Sequence, residues 1–180
     1  LRGVNNLDGN SYVSSGITWG YQISFGNDDV PVACTGDIRT LIDYKTYKTV
    51  DTSNAVLRRL FEDCTELTSA PELPATDLAA GCYAYMFSGC TSLVAAPELP
   101  ATTLANACYQ SMFSGCKSLE DAPALPATTL AENCYHDMFK FCASLEVAPE
   151  LPATTLEPQC YQSMFDRCTS LEDAPALPAT

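Results

Sequence analysis

One phrase returns every 26 residues along most of this chain. Cys64, Cys90, Cys116, Cys142 and Cys168 each open a unit that reads C-x-S-L-x-x-A-P-x-L-P-A-T-T-L-x-x-x-C-Y-x-x-M-F-x-x. Glu66 stands in for the serine and Asp77 for the second threonine of the first unit. A fixed period of this length means that every unit performs the same structural task, which is the signature of stacked coils rather than of a globule. One unit has too few apolar groups to offset the entropy of ordering its own backbone. Each unit therefore relies on its neighbours to cover both flanks, and stability is a nearest-neighbour property.

Each unit divides into two halves. In Thr102-Thr103-Leu104 to Ser114-Gly115, hydroxyl residues able to cap free amides precede an apolar run that a glycine closes. This predicts short helices near 78–88, 104–114, 130–140 and 156–166. On a helical wheel Leu104, Ala105, Cys108, Tyr109, Met112 and Phe113 share one half, with Asn106, Gln110 and Ser114 on the other. Pro158 fits such a helix in its first turn, where its missing amide hydrogen has no partner to lose. The other half, Ser118-Leu119 through Pro123 to Pro126, is short and proline-rich and suits an irregular strand.

Upstream, Ile38 and Leu41 fall on the Cys and Leu columns when the period is extended, and Val56, Leu60 and Phe61 fall on the Cys, Met and Phe columns. Residues 38–63 thus read as a diverged repeat, ahead of full repeats 64–89, 90–115, 116–141 and 142–167 and a partial repeat 168–180. Residues 1–37 differ. Ile17, Trp19, Tyr21, Ile23 and Phe25 alternate with Thr18, Gly20, Gln22 and Ser24, a strand period, and Asn27-Asp28-Asp29 supplies a turn before Val30 to Cys34. This predicts a β-rich segment, a hairpin or two edge strands, that is either a cap or the tail of a preceding domain. Leu1 is not an initiator methionine and Thr180 falls inside a repeat, so both ends are expected to continue.

A net charge of −13 repels phosphate backbones and anionic headgroups, which excludes nucleic acid as an expected partner. No run approaches the roughly 20 apolar residues of a membrane-spanning helix.

The stretches MFSGCTSLVAAPELPATTLANACY and MFSGCKSLEDAPALPATTLAENCY resemble the BspA-like leucine-rich repeats of bacterial cell-surface proteins. The likeness is close over residues 64–180 and looser over Gly36 to Asp43. It implies an α/β repeat, a right-handed leucine-rich-repeat solenoid of strand-plus-short-helix units. It also implies an exported, non-catalytic module that adheres to a protein or host-matrix ligand, with a structural spacer or an accessory glycan-binding module as alternatives. The shared residues build the coil, so the resemblance assigns no binding residue.

The cysteines form two columns, Cys82, Cys108, Cys134, Cys160 and Cys64, Cys90, Cys116, Cys142, Cys168, with Cys34 apart. Their spacings of eight and eighteen, with His136 the only histidine, do not suit a zinc site. Disulfides remain open in an exported protein, against the reading as buried thiols that pack like small apolar groups. No set of acid, base and nucleophile is apparent, and neither catalysis nor a cofactor is expected. Glu72, Glu98 and Glu150 alternate with Ala124 and Ala176, which spoils a calcium ladder and reads as a solvated acidic face. Tyr83, Tyr109, Tyr135 and Tyr161 lie at the edge of the apolar half, which favours packing between neighbouring helices over a stacking platform for sugars; they are candidate ligand-facing residues together with Gln110, His136 and Gln162, the last three on the outer half of the wheel.

Overall fold

A computed structural model describes residues 12–14, 17–19, 23, 30–41, 45, 48 and 57–178. Tyr21, Phe25, the turn at Asn27-Asp28-Asp29 and Val56 lie outside the described residues. Two short strands, β1 (Tyr12–Ser14) and β2 (Ile17–Trp19), pair antiparallel. A third, β3 (Val32–Ala33), lies parallel to β4 (Leu67–Ser69). The segment after the expected turn thus joins the first repeat as an edge strand.

From residue 57 onward the 26-residue units stack in register. Phe61, Phe87, Phe113, Phe139 and Phe165 form one column of parallel rings, with centroids 5.5–5.7 Å apart and planes within 9°. Tyr83, Tyr109, Tyr135 and Tyr161 form a second, at 5.8–6.0 Å. Between and around these columns Met86, Met112, Met138, Leu93, Leu119 and Leu145 are fully buried, so one apolar core runs through all the units. Its continuity follows from the period, because identical side chains meet identical side chains across each interface.

The expected helices over 78–88, 104–114, 130–140 and 156–166 do not form. Residues 80–89, 106–115, 132–141 and 158–167 are instead ribbons of overlapping turns. Even-numbered amides bond three residues back, as Cys82 N–H to Ala79 O and Met86 N–H to Tyr83 O. Odd-numbered amides donate to the carbonyl 25 residues ahead: Tyr83 to Cys108, Tyr85 to Gln110, Phe87 to Met112. These inter-unit bonds run between 2.7 and 3.1 Å along the whole stack. An α-helix would satisfy the amides beyond its first turn internally and leave cohesion between units to side chains alone. The ribbon turns every second amide to its neighbour.

The geometry costs local strain. Every fourth ribbon residue has positive φ, including Gly81, Gly89 and Gly115 but also Tyr85, Ala107, Ser111, Asn133, Asp137 and Phe141. A left-handed residue with a β-carbon costs about 1–2 kcal/mol, comparable to the roughly 1 kcal/mol a net hydrogen bond returns. Ring stacking and core burial supply the remainder. Pro158 is tolerated for a reason other than helix initiation: the equivalent amides of Ala80, Asn106 and Glu132 make no backbone bond among the described residues, so none is lost.

The proline-rich half is held more sparsely. Parallel bridges link Ser69 to Ala95, Ala95 to Asp121 and Asp121 to Val147, and another links Thr103 to Thr129. The threonine pairs act as backbone cross-links between units, with Thr128 N–H on Thr102 O and Leu104 N–H on Thr129 O, instead of as helix caps.

Upstream, the period breaks on one side of the coil. Phe61 stacks on Phe87, 26 residues away, as the column reading expects. Ile38 and Leu41 do not sit across from Cys64 and Leu67: Val32 pairs with Leu67 and Asp37 with Glu72, 35 residues apart. The stretch between residues 38 and 57 therefore holds nine residues more than the repeat, and the strand edge is filled from further back in the chain.

Candidate binding surface

Which side chains face outward follows from the ribbon. Its inner positions are the same in every full unit, namely Cys82, Tyr83, Met86, Phe87 and their equivalents, and nearly all are buried. Its outer positions differ from unit to unit and, Ala84 and Ser111 excepted, reach the surface. One column runs Arg58, Ala84, Gln110, His136, Gln162, and the next Arg59, Tyr85, Ser111, Asp137, Ser163. Two further columns run Glu62, Ser88, Ser114, Lys140, Asp166 and Asp63, Gly89, Gly115, Phe141, Arg167.

The outer columns hold two clusters of cations and rings. At one end Arg59 pairs with Glu62 at 2.5 Å, and the guanidinium groups of Arg58 and Arg59 lie 5.4 and 4.3 Å from the Tyr85 ring centre. At the other, Lys140 lies 3.3 Å from Asp137 and 3.7 Å from Asp166. Lys140 and Arg167 sit 5.7 and 5.1 Å from the centre of the Phe141 ring, which is 39% exposed. Such contacts contribute roughly 0.5–1 kcal/mol each when exposed. Between the clusters the columns narrow to serines and glycines. His136 Nδ1 lies 3.4 Å from Asp137 Oδ2, yet is buried without a hydrogen bond.

The tyrosine platform is corrected. Tyr83, Tyr109 and Tyr135 are 2%, 1% and 1% exposed and serve as core, because the ribbon turns their column inward with the phenylalanines. Only Tyr161 is half-buried; burial pushes its hydroxyl up to about 12, and that oxygen has no hydrogen-bond partner. Gln110 and His136 are half-buried and Gln162 is exposed, so that column does reach the surface. Sequence reasoning missed Arg58, Arg59, Tyr85, Lys140, Phe141 and Arg167. The signal was present in how these columns change from unit to unit.

All ten cysteines are free. In one column each thiol donates to a carbonyl of the preceding coil: Cys90 to Phe61 O at 3.0 Å, Cys116 to Phe87 O at 3.1 Å and Cys142 to Phe113 O at 3.1 Å. Cys64 donates likewise to Ile23 O at 2.6 Å, and Cys168 to Phe139 O at 3.0 Å. Burial pushes Cys64 up to about 11, Cys82 to about 12 and Cys134 to about 11, the reverse of what a nucleophile needs.

A cavity of about 190 Å³ beside β3 is lined by Val32, Cys34, Asp37, Ile38, Thr40 and Phe61. Burial opposes ionisation of Asp37, but the hydrogen bonds and charge of Arg39 outweigh it and hold the carboxyl below its ordinary range. Among the described residues no three histidine, cysteine or carboxylate groups gather as a metal site. Among them, too, no helix is long and apolar enough to cross a membrane. No protein-family model, curated protein or solved structure matches the chain.

Proposed function

We propose that this chain is a BspA-like leucine-rich-repeat solenoid, exported to a bacterial surface, that binds a protein or host-matrix ligand without catalysis. The observation that carries the reading is the division within each ribbon: inner residues repeat unchanged, while outer residues alternate among charged, aromatic and small ones. A spacer has no use for an outer face varied in this way. Repeat scaffolds that bind keep the frame fixed and vary what it displays.

The test gives one ribbon the outer residues of its neighbour. His136→Gln, Asp137→Ser, Lys140→Ser and Phe141→Gly together copy the outer residues at Gln110, Ser111, Ser114 and Gly115. Binding of the parent chain to immobilised host matrix and to host cells is expected to be saturable, and the fourfold variant is expected to bind about tenfold more weakly while its melting curve shows it cooperatively folded. Equal binding by the two proteins, or no binding by the parent above an unrelated acidic protein, overturns the proposal.

A further inference from the structure

The two halves of each unit differ sharply in charge. Over the described array, the proline-rich halves (64–79, 90–105, 116–131, 142–157 and 168–178) carry eleven carboxylates and one basic residue, Lys117. The ribbons (57–63, 80–89, 106–115, 132–141 and 158–167) carry five carboxylates and four lysines or arginines. The net negative charge of the array is thus concentrated on one half of every coil.

That half is also grooved. Pro71, Pro74, Pro97 and Pro100 line a groove of about 240 Å³ between the first two units, with Glu72 and Glu98 exposed at its rim. Pro123, Pro126, Pro149 and Pro152 line another of about 400 Å³ two units on, beside Glu150 and Asp121. The cause is chemical: proline has no amide hydrogen, so the ladder between units lapses there. Among the described residues the carbonyls of 96–101, 122–127 and 148–153 accept no backbone amide.

We propose that this proline-lined half docks an extended, lysine- or arginine-bearing segment of another polypeptide. Its cationic heads meet Glu72, Glu98 and Glu150, its stems lie along the prolines, and its donors reach the free carbonyls. Nucleic acid and an anionic membrane carry the wrong sign, and a second copy of this chain carries a net charge of −13. A bare cation lacks a cage, since the carboxylates alternate with alanine along their column. The inference does not depend on the ribbon face, so either surface can fail its test while the other stands.

The probe is a fluorescent decapeptide alternating lysine and proline, with a glutamate-proline decapeptide as control, titrated into the full chain near 0.15 M salt. Saturable binding of the lysine peptide, weakening as salt rises, is expected. Glu72→Gln, Glu98→Gln and Glu150→Gln together should weaken it about tenfold. Asp63→Asn, Glu132→Gln and Asp166→Asn change the net charge equally on the ribbons and should weaken it less than about twofold. Amide shifts on binding should centre on Leu73, Leu99, Leu125 and Leu151. Equal weakening by both triple variants, shifts centred on the ribbons, equal binding of the glutamate peptide, or no binding at all overturns the proposal. A melting curve for each variant separates loss of fold from loss of contact.

Discussion

Gly89 and Gly115 occupy equivalent places in successive units, with φ of +77° and +79°, but different surroundings. A β-carbon on Gly115 would meet only the Gly89 backbone, at 3.6 Å, whereas one on Gly89 would fall 2.2 Å from the Asp63 carboxylate. Gly115→Ala is expected to cost about 1 kcal/mol for the left-handed backbone alone. Gly89→Ala should cost more, and Asp63→Ala in the same chain should recover part of the difference. Melting curves of the three variants decide this, and equal costs for the two glycines would contradict it. The core columns were plain in the sequence: Met112 is fully buried and Gln162 exposed, so Met112→Asp should unfold the array while Gln162→Asp leaves it within about 0.5 kcal/mol. The wheel also places Tyr109 on the apolar half, and what fails is the reading of the tyrosine column as a platform for a ligand. On a helix Tyr109 falls at the edge of the apolar half, but on the ribbon it stacks inward beside Phe113.

At the scale of the element, the repeat told which residues are equivalent and left the backbone path open. Thr-Thr before and Ser-Gly after an apolar run are helix signals by any local rule, and left-handed φ at Tyr85 or Phe141 runs against local preference. Bonds to a residue 25 positions away outweigh those preferences, and a local reading does not contain them. The upstream slip has the same origin, since nothing in the spacing of Ile38 and Leu41 announces that Val32 will take the place opposite Leu67. The ribbon also makes a prediction that no helix would make. Ala107, Tyr109, Ser111, Phe113 and Gly115 donate to the next unit, while the amides of Gln159, Tyr161, Ser163, Phe165 and Arg167 have no backbone acceptor among the described residues. Measured on residues 1–180 alone, hydrogen exchange should protect the odd-numbered amides of 107–115 and leave those of 159–167 fast, with the even-numbered amides of both ribbons intermediate. Uniform protection along either segment would mean a helix.

Across the whole molecule, the thiols tie the stack to pH. Burial raises Cys34, Cys64, Cys82, Cys90, Cys108, Cys116, Cys134, Cys142 and Cys168 above the ordinary thiol range, because a thiolate in the core loses its water. In the unfolded chain these groups ionise at about pH 8.5–9, while in the folded chain they stay protonated through higher pH. Between those limits the folded state binds more protons than the unfolded one. The stability is therefore complete below the unfolded value and lost as pH rises through the folded ones. Each fully protected thiol removes about 1.4 kcal/mol per pH unit, so a column of them exhausts a typical stability of roughly 5–15 kcal/mol within one to two units. With reductant present, the melting temperature should be flat from about pH 6.5 to 8.5 and then fall steeply, with cooperative unfolding near pH 10 to 11. Replacing Cys90, Cys116 and Cys142 together by alanine should lower the melting temperature at neutral pH, through three cavities and three lost thiol–carbonyl bonds, and should make the alkaline fall shallower. An alkaline fall equally steep in that variant would show that groups other than the core thiols carry it.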